Sequence, residues 1–105
     1  MTDLTTLSIY RFRLGPAVPM DDVHVCMATA IAASESVFGA ARVRLEFGYC
    51  ADDDKRSLVA DGRTQIGYLV VSIFTGLLLK QFGLTDFSVE PVGGNQHAEL
   101  LRQVS

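Results

Sequence analysis

The chain has 105 residues, 49% of them hydrophobic and 20% charged. That is the material of one packed domain, and it excludes both a disordered chain and two domains with separate cores. A net charge of −3 argues against a whole-molecule field that draws in nucleic acid or anionic lipid. Cys26 and Cys50 sit in unrelated contexts, and residues 1–10 lack the basic-then-apolar pattern of a secretion signal. Two buried, reduced thiols and a cytoplasmic location are therefore expected.

Leu7 to Leu14 alternates Tyr10, Phe12 and Leu14 with Arg11 and Arg13, which predicts a first strand ended by Gly15-Pro16. After Pro19, Asp21 and Asp22 suit a helix N-terminus, where the backbone dipole is positive. That helix is expected to reach Phe38 and stop at Gly39. Ala41 to Cys50 alternates Val43, Leu45, Phe47 and Tyr49 with Arg42, Arg44 and Glu46, the period of a sheet with one wet face. Asp52-Asp53-Asp54 reads as a turn, and Lys55 to Ala60 as a short strand or one helical turn. A second long helix is expected from Thr64 to Phe82, ended by Gly83. Thr85 to Val92 reads as a last strand, with Phe87 and Val89 inward and Pro91 marking an edge. After Gly93-Gly94, Asn95 opens a tail in which His97, Leu100, Leu101 and Val104 fall on one side of a helix.

This order, β-α-β-β-α-β, predicts an α+β fold of ferredoxin-like plan: an antiparallel sheet with two helices on one face. Residues 1–92 would form the single domain and 93–105 a glycine-hinged, short helical tail. Many unrelated functions use that plan, so it predicts none of them.

The distribution of charge over the helices is more specific. Thr64 to Leu79 carries no charged side chain. The run is shorter than the roughly 20 apolar residues a bilayer span needs, and it includes Gln65, Ser72 and Thr75, so a buried helix is expected. Ile66, Val70, Val71, Phe74, Leu77, Leu78 and Phe82 gather on one face and should meet the sheet. Gln65, Tyr68, Leu69, Ser72, Ile73, Thr75, Gly76 and Leu79 lie opposite, where water normally selects Lys or Glu. Ser72 and Gly76 form a notch that admits a second helix backbone. Gly67 and Gly76 each cost about 1 kcal/mol relative to Ala in a helix interior, so close packing against both is expected. In the first helix Met20, Val23, Met27, Ala30, Ile31 and Phe38 form the inward stripe. Its outer side is Val25, Ala28, Thr29, Ala32, Ala33 and Ser36.

No phosphate-loop, dinucleotide or nucleophile-elbow pattern is present. Three adjacent aspartates rarely converge on one ion, so Asp52 to Asp54 read as a solvated turn, with no metal and no cofactor expected. His24, Tyr10 and Tyr49 could line a small-ligand pocket between sheet and helices, which keeps an enzyme or ligand-binding protein as the alternative. Arg11, Arg13, Arg42 and Arg44 would give a nucleic-acid face, but the aromatic rings that stack bases on such sheets are expected inward here. Glu46 and Glu90 would also oppose a phosphate backbone. The leading expectation is a non-enzymatic assembly module that meets a second copy, or another protein, through the outer helix faces. Leu69, Ser72, Ile73, Gly76 and Leu79 would form that interface with Ala28, Ala32 and Ala33 as the opposing floor. The tail could swap onto a neighbour through Leu100, Leu101 and Val104.

Overall fold

Phe12 and Phe74 are both fully buried and meet edge-on, their ring centroids 4.9 Å apart. Around this pair the computed structural model, which describes residues 8–92, builds a sheet and a helical layer. The elements in chain order are β1 (Ile9–Leu14), α1 (Met20–Phe38), α2 (Ala40–Glu46), β2 (Tyr49–Asp52), β3 (Ser57–Asp61), α3 (Gln65–Phe82) and β4 (Phe87–Val92). The four strands lie in the order β2-β3-β1-β4, each antiparallel to its neighbours. The first two helices carry the chain from β1 past β3 to the edge at β2, and α3 carries it from β3 past β1 to the opposite edge.

The alternation of β1 does what a half-buried strand requires. Phe12 and Leu14 face the helices and are buried, with Tyr10 packed beside them. Arg11 and Arg13 project from the other side, where Ile9 and Val92 form a small separate cluster with Val59. From above, Val23, Cys26, Met27 and Ala30 of α1 and Ile66, Val70, Val71, Phe74 and Leu78 of α3 close the main core. Fully burying each large apolar side chain contributes about 1.5–3 kcal/mol, so α3 is the principal anchor of the layer. It is also long and apolar enough by length and composition to cross a bilayer, although here its apolar stripe lies against the sheet and α1.

Caps explain where the helices begin and end. Gly39 and Gly83 end α1 and α3 at φ of 89° and 87°, a region that glycine enters without Cβ strain. Thr64 accepts the backbone N–H of Gly67 at 2.9 Å and donates to the carbonyl of Glu46 at 3.0 Å. One hydroxyl thus starts α3 and holds it to the end of α2.

The chain departs from expectation most clearly at Ala41 to Cys50. Its first part is the helix α2, and only Tyr49 and Cys50 belong to a strand. The reason is visible in which residues reach the core: Val43 is buried and Phe47 half-buried, four residues apart as on a helix, whereas Leu45 is 86% exposed. Arg42 and Glu46, also four apart, form a helical ion pair at 3.3 Å. Arg42, Arg44 and Glu46 therefore lie on α2 and not on the outer face of the sheet. Lys55 to Ala60 resolves into β3, beginning at Ser57. Cys26 is buried but Cys50 is exposed, and both are free thiols. Among the described residues the class is α+β with a four-stranded antiparallel sheet and three helices, of which α2 is absent from the expected plan. The anticipated tail, with Asn95, His97, Leu100, Leu101 and Val104, and the strand start at Leu7 lie outside the described residues.

Candidate interaction surface and groove

Because α3 crosses β1, the edge strand β4 extends beyond its cover. Val89 points to the helical side, in register with Phe12, yet is 40% exposed. Between β4 and α3 runs a groove of about 390 Å3, lined by Tyr10, Tyr68, Val71, Ser72, Thr75, Gly76, Leu79 and Val89. Its lining is mostly apolar and contains no charged side chain. Tyr10 and Tyr68 stand at one end with ring centroids 6.3 Å apart. Burial, with a smaller push from Tyr68, raises the Tyr10 phenol above its ordinary value.

The expected interface residues divide between two flanks of α3. Ser72, Gly76 and Leu79 are exposed and face the groove side. Leu69 and Ile73 are half-buried, and Ile73 packs on the core, so the outermost stripe is narrower than the sequence pattern implied. The two interior glycines also part company. A Cβ on Gly67 would sit 2.5 Å from the carbonyl oxygen of Asp61, so the chain itself explains that glycine. A Cβ on Gly76 would meet nothing within 4 Å among the described residues.

On α1, Ala28, Ala32 and Ala33 are exposed, flanked by Val25 at 63% and Val37 at 69% exposure. The hydroxyls on both outer faces turn inward to their own helix. Thr29 donates to the carbonyl of Val25, Ser36 to Ala33, Ser72 to Tyr68 and Thr75 to Val71, at 2.6–2.8 Å. Each spends its one donor on backbone and leaves its surroundings only the oxygen's acceptor capacity. Sequence spacing marks these positions as uncharged, and the internal use of their hydroxyl protons removes four donors from the surface.

The residues considered for a ligand pocket do not converge. Tyr10 lines the groove, whereas Tyr49 is exposed on the edge strand β2 and stacks on Phe47 at 6.1 Å. His24 has a partner the sequence could not supply: its Nε2 lies 2.9 Å from Asp53, across the β2–β3 turn. This pair is exposed and neither residue lines the groove. Asp52 serves the turn, accepting the backbone N–H of Lys55 at 3.1 Å.

Nor do the arginines form one cationic face. Arg11 and Arg13 share Glu90 at 3.6 Å each, while Arg42 pairs with Glu46 and Arg44 with Glu35 on the helical side. Among the described residues no group of three His, Cys, Asp or Glu side chains could hold a metal ion. No family model, curated protein or solved structure matches this chain.

Proposed function

We propose that this chain is a small, non-enzymatic assembly module that associates with a second copy of itself through the outer faces of α1 and α3. In this reading the fold is ferredoxin-like in plan, with α2 added between the first helix and the second strand. The observation that carries the proposal is the state of the hydroxyl groups on those faces. Thr29, Ser36, Ser72 and Thr75 all donate to their own helices, on surfaces whose other members include Val25, Ala28, Ala32 and Ala33. A solvated helix face ordinarily carries charge; here charge in α1 is confined to Asp21, Asp22 and Glu35. Uncharged outer faces on two neighbouring helices support a symmetric contact between copies.

Ala32 is exposed and arginine is nearly as good a helix former as alanine, so Ala32→Arg leaves the single chain intact and places charge in the contact. Sedimentation velocity at tens of micromolar should show a dimer or larger assembly for the native chain and a monomer for Ala32→Arg. A native chain that stays monomeric, or an assembly unaffected by both Ala32→Arg and Ala33→Arg, overturns the proposal.

A further inference from the structure

The far side of β4 is a sheet edge whose donors and acceptors can be read residue by residue. The Gly15 N–H donates to the carbonyl of Asp86 at 2.8 Å, one step beyond the Leu14–Phe87 pair of the β1–β4 ladder. Opposed residues in an antiparallel ladder alternate between bonded and non-bonded pairs. Ser88, Glu90 and Val92 therefore turn their backbone groups to β1, and Phe87, Val89 and Pro91 turn theirs outward. Pro91, which has no N–H, stands where the ladder needs none. Among the described residues β4 ends the sheet, and no strand pairs with its outward side. An open edge of this kind is a template for another strand. The sequence of β4 fits its own copy in one register. A two-fold axis at Val89 sets Val89 opposite Val89 of the second copy, Phe87 opposite Pro91, and Ser88 opposite Glu90. Both outward N–H groups then have acceptors, that of Val89 on the Val89 carbonyl across the axis and that of Phe87 on the Pro91 carbonyl. An axis at Ser88 would oppose Asp86 to Glu90, and an axis at Glu90 would oppose the two Glu90 carboxylates. Like charges directly opposite destabilise a strand pair, so charge selects the register centred on Val89. There the half-exposed Val89 side chains meet, and each Glu90 lies beside a serine hydroxyl.

We propose that β4 pairs antiparallel with β4 of a second copy, centred on Val89, so that two four-stranded sheets run on as one. The two uncharged grooves then face each other across the axis as a single trough between α3 and its copy. Six residues a side fall well short of the roughly 20–30 in a standard interface, so the contact is weak alone and fills at high concentration. It uses no residue of α1 and does not depend on the contact through the helix faces; where both form, the assembly exceeds a dimer.

Cross-linking reads both the contact and its register. Directly opposed Cβ atoms lie about 4.5–5.5 Å apart and diagonal ones about 7–8 Å, and only the former approach disulfide reach. The background is Cys26→Ala, Cys50→Ser and Ala32→Arg, the last to disrupt the contact through the helix faces. An equal mixture of Ser88→Cys and Glu90→Cys chains, concentrated and mildly oxidised, should give a disulfide-linked dimer several-fold faster than either chain alone. Equal rates, or no disulfide in the mixture, overturn the proposal whatever the state of the helix contact. Val89→Lys in both chains places two ammonium groups opposite each other at an exposed position, and should abolish the preference for the mixed pair. A preference that survives Val89→Lys overturns the proposal as well.

Discussion

Gly67 in the first turn of α3 lies directly against the main-chain carbonyl of Asp61 at the end of β3. A Cβ there would sit 2.5 Å from that oxygen and 3.0 Å from the capping hydroxyl of Thr64. The contact lets α3 start only a few residues after β3 and fold straight back over β1. Since the obstacle is backbone, Gly67→Ala has no flexible neighbour to displace. Overpacking of this kind costs about 1–3 kcal/mol, enough to outweigh the roughly 1 kcal/mol that alanine gains in a helix. The urea midpoint of Gly67→Ala should fall; a rise would show that α3 can shift away from β3 at little cost.

Phe74 is the other fixed point of α3. It is fully buried and edge-on to Phe12, so Phe74→Ala loses the transfer energy of the ring, leaves a cavity, and breaks an aromatic pair. Substitutions of this type cost about 3–5 kcal/mol, a large share of the 5–15 kcal/mol typical of a domain. Phe74→Leu, which keeps most of the volume, should retain more than half of the lost stability. Equal losses in the two variants, measured by urea unfolding, would mean that the ring fills no unique space.

Long elements were legible in the residues because several turns of pattern have to agree before a helix or strand is assigned. Nineteen residues of α1 and eighteen of α3 each carry their stripe through several turns, and only one periodicity fits. The seven residues of α2 fit two. Val43 and Phe47 face the core under either a two-residue or a helical period, and only Leu45 separates the readings, by pointing into solvent. The uncharged outer faces could also be read, since they need only helical spacing. The groove could not be, because it depends on α3 crossing β1 and leaving Val89 uncovered. His24 and Asp53, twenty-nine residues apart, meet only because α1 ends up beside the β2–β3 turn.

That same turn is tied to the rest of the molecule by Arg56. Its backbone φ is 53°, uncommon for a residue with a side chain. The guanidinium Nη2 donates to the carbonyls of Gly15, at 2.6 Å, and of Val18, joining the β1–α1 loop to the β2–β3 turn. Removing this partly buried charged donor takes a partner from both carbonyls, though that of Gly15 still accepts the Val18 N–H at 3.1 Å, a loss of about 1–3 kcal/mol. Arg56→Ala keeps the unfavourable φ and loses both bonds. Arg56→Gly loses the bonds but relieves the backbone, so it should unfold at a higher urea concentration than Arg56→Ala. The reverse order would place the value of this residue elsewhere than in its side chain and its φ.

Alkaline pH should weaken the fold through two groups that favour the protonated state when folded. Burial, and then the nearby Asp22 charge, raises the Cys26 thiol above its ordinary value, and its hydrogen bond to Gln81 measures 3.3 Å. Burial, and then Tyr68, does the same to Tyr10. In each case the unfolded chain gives up its proton first as pH rises, so the native state binds more protons over that interval and stability falls with pH. The contribution is complete below the ordinary values, about 8.5 for the thiol and about 10 for the phenol. It disappears as pH climbs through the higher folded values. Urea midpoints measured from pH 7 to pH 11 should therefore be level at first and then decline, with Cys26→Ala flattening the earlier part of the decline and Tyr10→Phe the later part. A decline of the same shape in both variants would assign it to other groups.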